Sequence, residues 1–275
     1  GMATVAGSWI GGSANQVAMK EVFEVNDSLF SAWIAVDVIV ANVWMAFLLY
    51  GAGISERIDA WFKGDASAIN HLRQSIEEYR AGIARIPALP DLVTVLAIGF
   101  GITAIATLIG NWLAPWIMTN APGLAKYSLT SPFFWLIIFA TTGGLILSFT
   151  KWRELEGVGA SRYGSMMLYV LVATIGMKMD IMAIFETPQL FLVGLVWMLI
   201  HVTVLLSVGK LIKAPFFFVA VGSQANIGGA ASAPIVASAF HPALAPVGVL
   251  LAVLGYALGT YAAWFCGLLM QAVAP

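Results

Sequence analysis

Gly7-Ser8-Trp9-Ile10-Gly11-Gly12-Ser13-Ala14-Asn15 stands near the start of the chain, and Asn226-Ile227-Gly228-Gly229-Ala230-Ala231-Ser232-Ala233-Pro234 repeats its Ile-Gly-Gly core near the end. Each stretch interrupts an apolar segment, about 3–24 and about 214–240, with small and polar residues. Aligned on that core, the following segments register as well, with Ala35 on Ala252, Asn42 on Gly259 and Trp44 on Tyr261. Two apolar segments broken at matching places are the sequence pointer to a transporter binding site. Hydrocarbon cannot satisfy a bare backbone N–H or C=O, so a helix breaks at depth only where protein or a wet cavity covers the break. The break exposes N-termini with partial positive charge, suited to a carboxylate or phosphate, and carbonyls with partial negative charge, suited to Na⁺. Gly11, Gly12, Gly228 and Gly229 permit the unwound backbone, and Ser13, Asn15, Gln224, Asn226 and Ser232 offer hydroxyl and amide ligands. The competing reading is that each Gly-Gly only lets two helices pack closely.

The composition around these stretches is that of a membrane protein. Of 275 residues, 60% are apolar and 10% charged, against about 25% charged in a soluble domain. Mean hydropathy is +0.91, which excludes a soluble globular or a disordered chain. A net charge of −1 gives no argument for nucleic acid, and the single Cys266 excludes a disulfide framework or Cys-based zinc. Three dispersed His show no zinc spacing, so no cofactor is expected beyond Na⁺ or H⁺ as a coupling ion. Full spans are expected at about 28–50, 91–118, 132–150, 164–185, 189–208 and 243–272, each near the ~20 apolar residues a bilayer requires. Strand-like alternation is absent, which argues against a transmembrane barrel. The fold class is therefore an all-α polytopic membrane protein with an inverted-repeat, transporter-like architecture.

Residues 1–50 read as the end of a first repeat, 51–90 as a linker and 91–275 as a second repeat. Within the linker, Ile69, Leu72, Ile76, Tyr79 and Ile83 recur at the three-and-four spacing of an amphipathic helix. Arg57, Lys63, Arg73, Arg80, Arg85, Lys151, Arg153, Arg162, Lys210 and Lys213 fall in connections on one side, against Lys20 and Lys126 on the other. The positive-inside rule makes the 51–90 loop cytoplasmic. If each broken segment is a re-entrant hairpin, five full spans separate them and the halves are inverted; crossed half-helices are the alternative. The hairpin suits the segment lengths better. Equal halves predict roughly 125 further residues, about four spans, ahead of Gly1, so the first repeat reads as incomplete.

The residues Ala225-Asn226-Ile227-Gly228-Gly229 and Gly255-Tyr256-Ala257-Leu258-Gly259-Thr260, with Ile10-Gly11-Gly12-Ser13-Ala14-Asn15 in the first half, resemble the YjcL-like family of bacterial integral membrane proteins. The resemblance implies a multi-span inner-membrane protein of a transporter kind, with no substrate attached. The plan is also similar to that of sodium-coupled glutamate and citrate symporters, an architectural analogy only.

Asp37 lies mid-span, where a carboxylate costs at least ~2.5–3.5 kcal/mol. It must be paired, protonated or wet, and reads either as a proton-relay or Na⁺-ligand carboxylate or as half of a structural pair. Lys178 and Asp180, two residues apart, point in different directions and do not pair with each other. Lys178 reads equally as a substrate or Asp37 contact and as a side chain reaching the interface. Gly248, Ala252, Gly255, Gly259 and Ala263 form a small-residue stripe for close packing, with Tyr256 and Thr260 as minor candidates for the site. His201 reads as a hydrogen-bonded packing residue. The leading expectation is a secondary active transporter of a small polar, plausibly anionic solute bound between the broken segments. An intramembrane enzyme using Asp37 and Asp180, or a channel or non-transporting receptor, are the alternatives. The partners expected are the bilayer and the solute, with a homo-oligomer left open.

Overall fold

The computed structural model describes residues 1–65, 67–127, 129–177 and 182–274. Among the described residues thirteen α-helices follow one another: α1 (Met2–Gly11), α2 (Ser13–Val22), α3 (Asp27–Gly53), α4 (Ser55–Phe62), α5 (Ser67–Ile83), α6 (Leu89–Asn120), α7 (Pro132–Ser148), α8 (Ala160–Gly176), α9 (Ala183–Glu186), α10 (Pro188–Leu211), α11 (Phe216–Ile227), α12 (Ala233–Phe240) and α13 (Ala245–Val273). No strand occurs among the described residues. Among the described residues four helices, α3, α6, α10 and α13, are long and apolar enough to cross a bilayer. A fifth crossing is formed if α7 and the 3₁₀ turn at Lys151–Val158, bent by 91° to it, count as one span.

Both interrupted segments fold back on themselves. Gly12 takes φ 76°, ψ 171°, a region essentially reserved for glycine, and the chain reverses there. A Cβ on Gly7 would stand 2.8 Å from Met19 Cγ; along a continuous helix those residues would be about 18 Å apart. In the second segment Phe217, at the start of α11, meets Phe240, at the end of α12, with ring centroids 5.3 Å apart. Of the two geometries the sequence leaves open, the folded-back hairpin is the one adopted.

Helix α3 serves as a ruler for their directions. Gly1 abuts Leu29 near its start, and Ser8 bonds Asp37 further along. Trp44 bonds Ser223, and Phe216 packs on Gly51 at its end. The first hairpin thus runs in from the beginning of α3, the second from its end. Helix α13 lies on their other side in the opposite direction. Its Gly248 touches Ala233 and Pro234, Gly255 touches Ala225, Gly259 touches Gly11 and Gly267 touches Phe23. The small-residue stripe therefore packs against both hairpins.

Around this centre, α10 packs on α3, while α7 packs on α2 and α13 and carries α6 outside it. Large apolar side chains such as Phe100, Leu108 and Leu199 are exposed on α6 and α10, as expected of lipid-facing surfaces. At one end Asp59 Oδ1 accepts the Phe216 N–H at 2.6 Å, and Lys210 Nζ sits 4.0 Å over the Trp61 ring. The Arg85 N–H donates to Gly157 O at 3.2 Å. These contacts gather the three basic connections, 51–90, 151–158 and 209–215, at the same end. The span expected at 164–185 differs, since α8 begins at Ala160 and stops at Gly176. Lys178 and Asp180 lie outside the described residues.

Candidate functional site

The two hairpin tips meet. A Cβ on Gly12 would stand 3.4 Å from the Cα of Gly229, the residue equivalent to it in the Ile-Gly-Gly register. Tyr256 of α13 fills the seam, and a Cβ on Gly12 or on Gly229 would come within 2.5 Å or 2.7 Å of its Cε1. Gly229 has φ 61°, so glycine is needed twice over, for backbone conformation and for space. The Tyr256 hydroxyl accepts the Ala230 N–H at 2.7 Å. Ser13 and Ser232 are half-buried at the tips, and Asn226 is exposed on the last turn of α11. Tyr256 is thus central, which the sequence reading underrated.

Asn15 is 4% exposed and fully engaged within the protein. Its Nδ2 donates to Gly11 O at 2.7 Å and Tyr256 O at 3.3 Å, while its Oδ1 accepts from Thr260 at 2.8 Å. Asn15 and Thr260 lie at the seam and clasp α2 to α13 instead of facing an open space.

Asp37 is 5% exposed in an apolar shell that includes Val36, Val40 and Trp33. Its Oδ2 accepts from Ser8 Oγ at 2.8 Å and its Oδ1 from Trp9 Nε1 at 2.5 Å. Among the described residues no cation lies within ion-pairing distance of it. The carboxylate therefore anchors α1, one turn before the break, to α3. Neither Ser8 nor Trp9 was singled out from the sequence; the signal available was that a mid-span carboxylate requires donors and that both residues sit in the repeated stretch.

A second polar cluster was missed as such. Ser223 Oγ accepts from Trp44 Nε1 at 2.9 Å and lies 2.8 Å from His201 Nε2. Because indole N–H only donates, the Ser223 hydroxyl proton is available to His201. Gln224 Nε2 donates to Ser232 Oγ at 2.9 Å, and the amide packs beside Gly228. Among the described residues two buried side-chain atoms have no hydrogen-bond partner, Gln224 Oε1 and Gln16 Nε2, both on helices flanking the breaks. A cavity of about 690 Å³ lies elsewhere, between α6, α7 and α8, with Phe100, Thr103, Gly144 and Tyr163 in its lining. It shares no residue with the hairpin tips, and its mostly apolar lining offers little to a polar solute. Among the described residues no group of three or more His, Cys, Asp or Glu is placed to hold a metal ion.

The helices and the covered breaks describe a multi-pass membrane protein. The chain belongs to the family described as "Protein of unknown function (DUF819)", which matches residues 1–273. It is similar to the "Uncharacterized membrane protein YjcL" of Bacillus subtilis (strain 168), at 25% identity over 280 residues. That alignment takes in 96% of this chain and 66% of the relative, so the chain spans just under two thirds of the relative's length. The resemblance read from the Ile-Gly-Gly motifs is borne out by both matches. No solved structure matches the chain.

Proposed function

We propose that the protein is a secondary active transporter of a small polar solute, driven by Na⁺ or H⁺, with its binding region at the meeting hairpin tips. The observation that carries this reading is the contact of the equivalent glycines Gly12 and Gly229 across Tyr256. Hairpins arriving from opposite ends of α3 are what an inverted repeat produces. Broken backbone near the midplane supplies the half-helix ends that transporters use for solutes and ions. Ser13, Asn226 and Ser232, half-buried or exposed at the tips, are the solute contacts in this reading. Asn15 and Thr260 position the backbone instead. The basic connections gathered at one end make that end cytoplasmic by the positive-inside rule. A carrier accounts for Asp37 better than an intramembrane enzyme does, because both its oxygens are held by structural donors on the neighbouring hairpin.

The test is uptake by vesicles reconstituted with the full-length protein, imposing Na⁺ and H⁺ gradients separately over a broad solute panel. Accumulation driven by one gradient is expected. If neither gradient moves any solute, the reading fails.

A further inference from the structure

We propose that the cavity between α6, α7 and α8 is a binding site for an anionic phospholipid of the cytoplasmic leaflet. An acyl chain lies among the three helices, and the phosphate lies on Arg153. The site stands apart from the hairpin tips and does not depend on the carrier reading.

The space is built by glycine. Gly99 of α6, Gly144 of α7 and Gly164 of α8 all line the cavity of about 690 Å³. A Cβ on any of the three would meet nothing within 4 Å. Small residues in membrane helices ordinarily mark the close approach of two backbones, as at Gly110, where a Cβ would stand 2.6 Å from Pro132 O. Here three helices each present glycine to open space. All three glycines are exposed, so the cavity is open on a side that faces hydrocarbon. Phe100, Ile102 and Leu147 contribute to its apolar walls. Ligand pockets run to about 300–1,000 Å³, and an apolar one open to the bilayer admits an acyl chain.

Its depth places it in one leaflet. Helices α6 and α7 pack antiparallel, with Gly110 on Pro132 and Gly143 on Ile102. The start of α6, the end of α7 and the start of α8 therefore meet where the basic connections gather. Gly144 precedes the last residue of α7, Ser148, and Gly164 follows the first residue of α8, Ala160, each by about 6 Å of helix. The 3₁₀ segment Lys151–Val158 turns by 91° from α7 and so runs along the membrane surface.

That segment brings Trp152 and Arg153 into the lining, to which α8 adds Tyr163. Indole and phenol rings are the usual anchors at headgroup level. Among the described residues no carboxylate lies within ion-pairing distance of Arg153. Glu156 also lines the cavity, but both its oxygens accept from Ser161, one from Oγ at 2.7 Å and one from N at 3.0 Å. Its charge is thereby held at the first turn of α8, where a helix N-terminus favours it. Glu154 is exposed and does not line the cavity. Arginine binds phosphate oxygens bidentately. Lys151, exposed two residues earlier, adds to the attraction of an anionic headgroup, as basic groups beside spanning helices do. A phospholipid matches both parts, the apolar cleft and the arginine at its mouth.

The experiment takes purified full-length protein, strips it of lipid in detergent and titrates it with phosphatidylglycerol or phosphatidylcholine. Bound lipid is counted by native mass spectrometry, and stability is followed as Tm. Saturable binding of phosphatidylglycerol is expected, with a larger rise in Tm than phosphatidylcholine gives. Arg153→Gln should raise the half-saturating concentration severalfold and bring the two lipids level. Gly144→Phe fills the cavity and should abolish the bound lipid. Gly101→Phe, equally free of neighbours but outside the lining, should leave binding unchanged. Equal responses of the wild type to both lipids, or wild-type binding in either Arg153→Gln or Gly144→Phe, would overturn the proposal. So would a lack of saturable binding, the result if another segment of the full-length protein or a second copy fills the space. Should Gly144→Phe fail to fold, Arg153→Gln alone decides. None of these readouts involves gradient-driven uptake, so this site and the carrier reading can each fail alone.

Discussion

Thr260 Oγ1 donates to Asn15 Oδ1 at 2.8 Å, joining α13 to the first residues of α2. Asn15 also reaches back to Gly11 O across the break. One side chain therefore bridges both arms of the first hairpin and the helix that supports it. Asn15→Ala removes all three bonds and leaves the Gly11 carbonyl buried, so unfolding in detergent should show a loss of about 1–3 kcal/mol. Thr260→Ser keeps the hydroxyl and should lose much less.

The paired glycines make a sharper case. Gly12→Ala and Gly229→Ala each force a residue with a Cβ into positive φ and into the Tyr256 ring. Strain of about 1–3 kcal/mol from the backbone alone is expected, with the steric clash added. Gly99→Ala, where a Cβ meets nothing within 4 Å, should leave stability unchanged or slightly raised. Expression yield and Tm of the three variants, measured side by side, check this order.

Tyr256→Phe deprives the buried Ala230 N–H of its acceptor and should cost about 1–3 kcal/mol. Tyr261→Phe is the informative comparison. Its partner Thr142 keeps a second bond to Ile138 O at 2.6 Å, so its loss should be about 1 kcal/mol or less. Equal losses in the two variants would contradict the seam role of Tyr256.

Asp37 separates structure from coupling. In Asp37→Asn the remaining oxygen can still accept from Trp9, and the new NH₂ can donate to Ser8, whose hydroxyl accepts as readily as it donates. The variant should fold with a Tm near that of wild type and keep gradient-driven uptake, because the tie of α1 to α3 survives. Asp37→Leu leaves the Trp9 N–H and the Ser8 hydroxyl unmet and should be destabilised by about 1–3 kcal/mol for each.

How much of this was legible in the chain depends on what kind of constraint each residue obeys. The two breaks could be read because Gly12 and Gly229 sit in a repeated motif and few residues besides glycine accept their backbone angles. The close packing of Gly255 and Gly259 was legible for the same reason, since small residues at helical spacing have little other use. The partners of Asp37 were not. Ser8 and Trp9 reach it only because α1 lies alongside α3 in one register, and nothing local to either segment sets that register. Asn15 looked like a ligand because amides suit ligands, but an amide beside a break suits the broken backbone equally well. Likewise Asp59 caps α11 through the Phe216 N–H from a linker whose sequence shows only charge and amphipathicity.

Opposite entry of the two hairpins is tested most directly by thiol labelling on a Cys266→Ser background. Ser28→Cys marks the base of the first hairpin beside the start of α3, and Ile212→Cys the base of the second; both positions are exposed. With a membrane-impermeant maleimide, Ser28→Cys should label in intact cells or right-side-out vesicles. Ile212→Cys should label only in inside-out vesicles. Labelling of both positions from the same side of the membrane would contradict the arrangement.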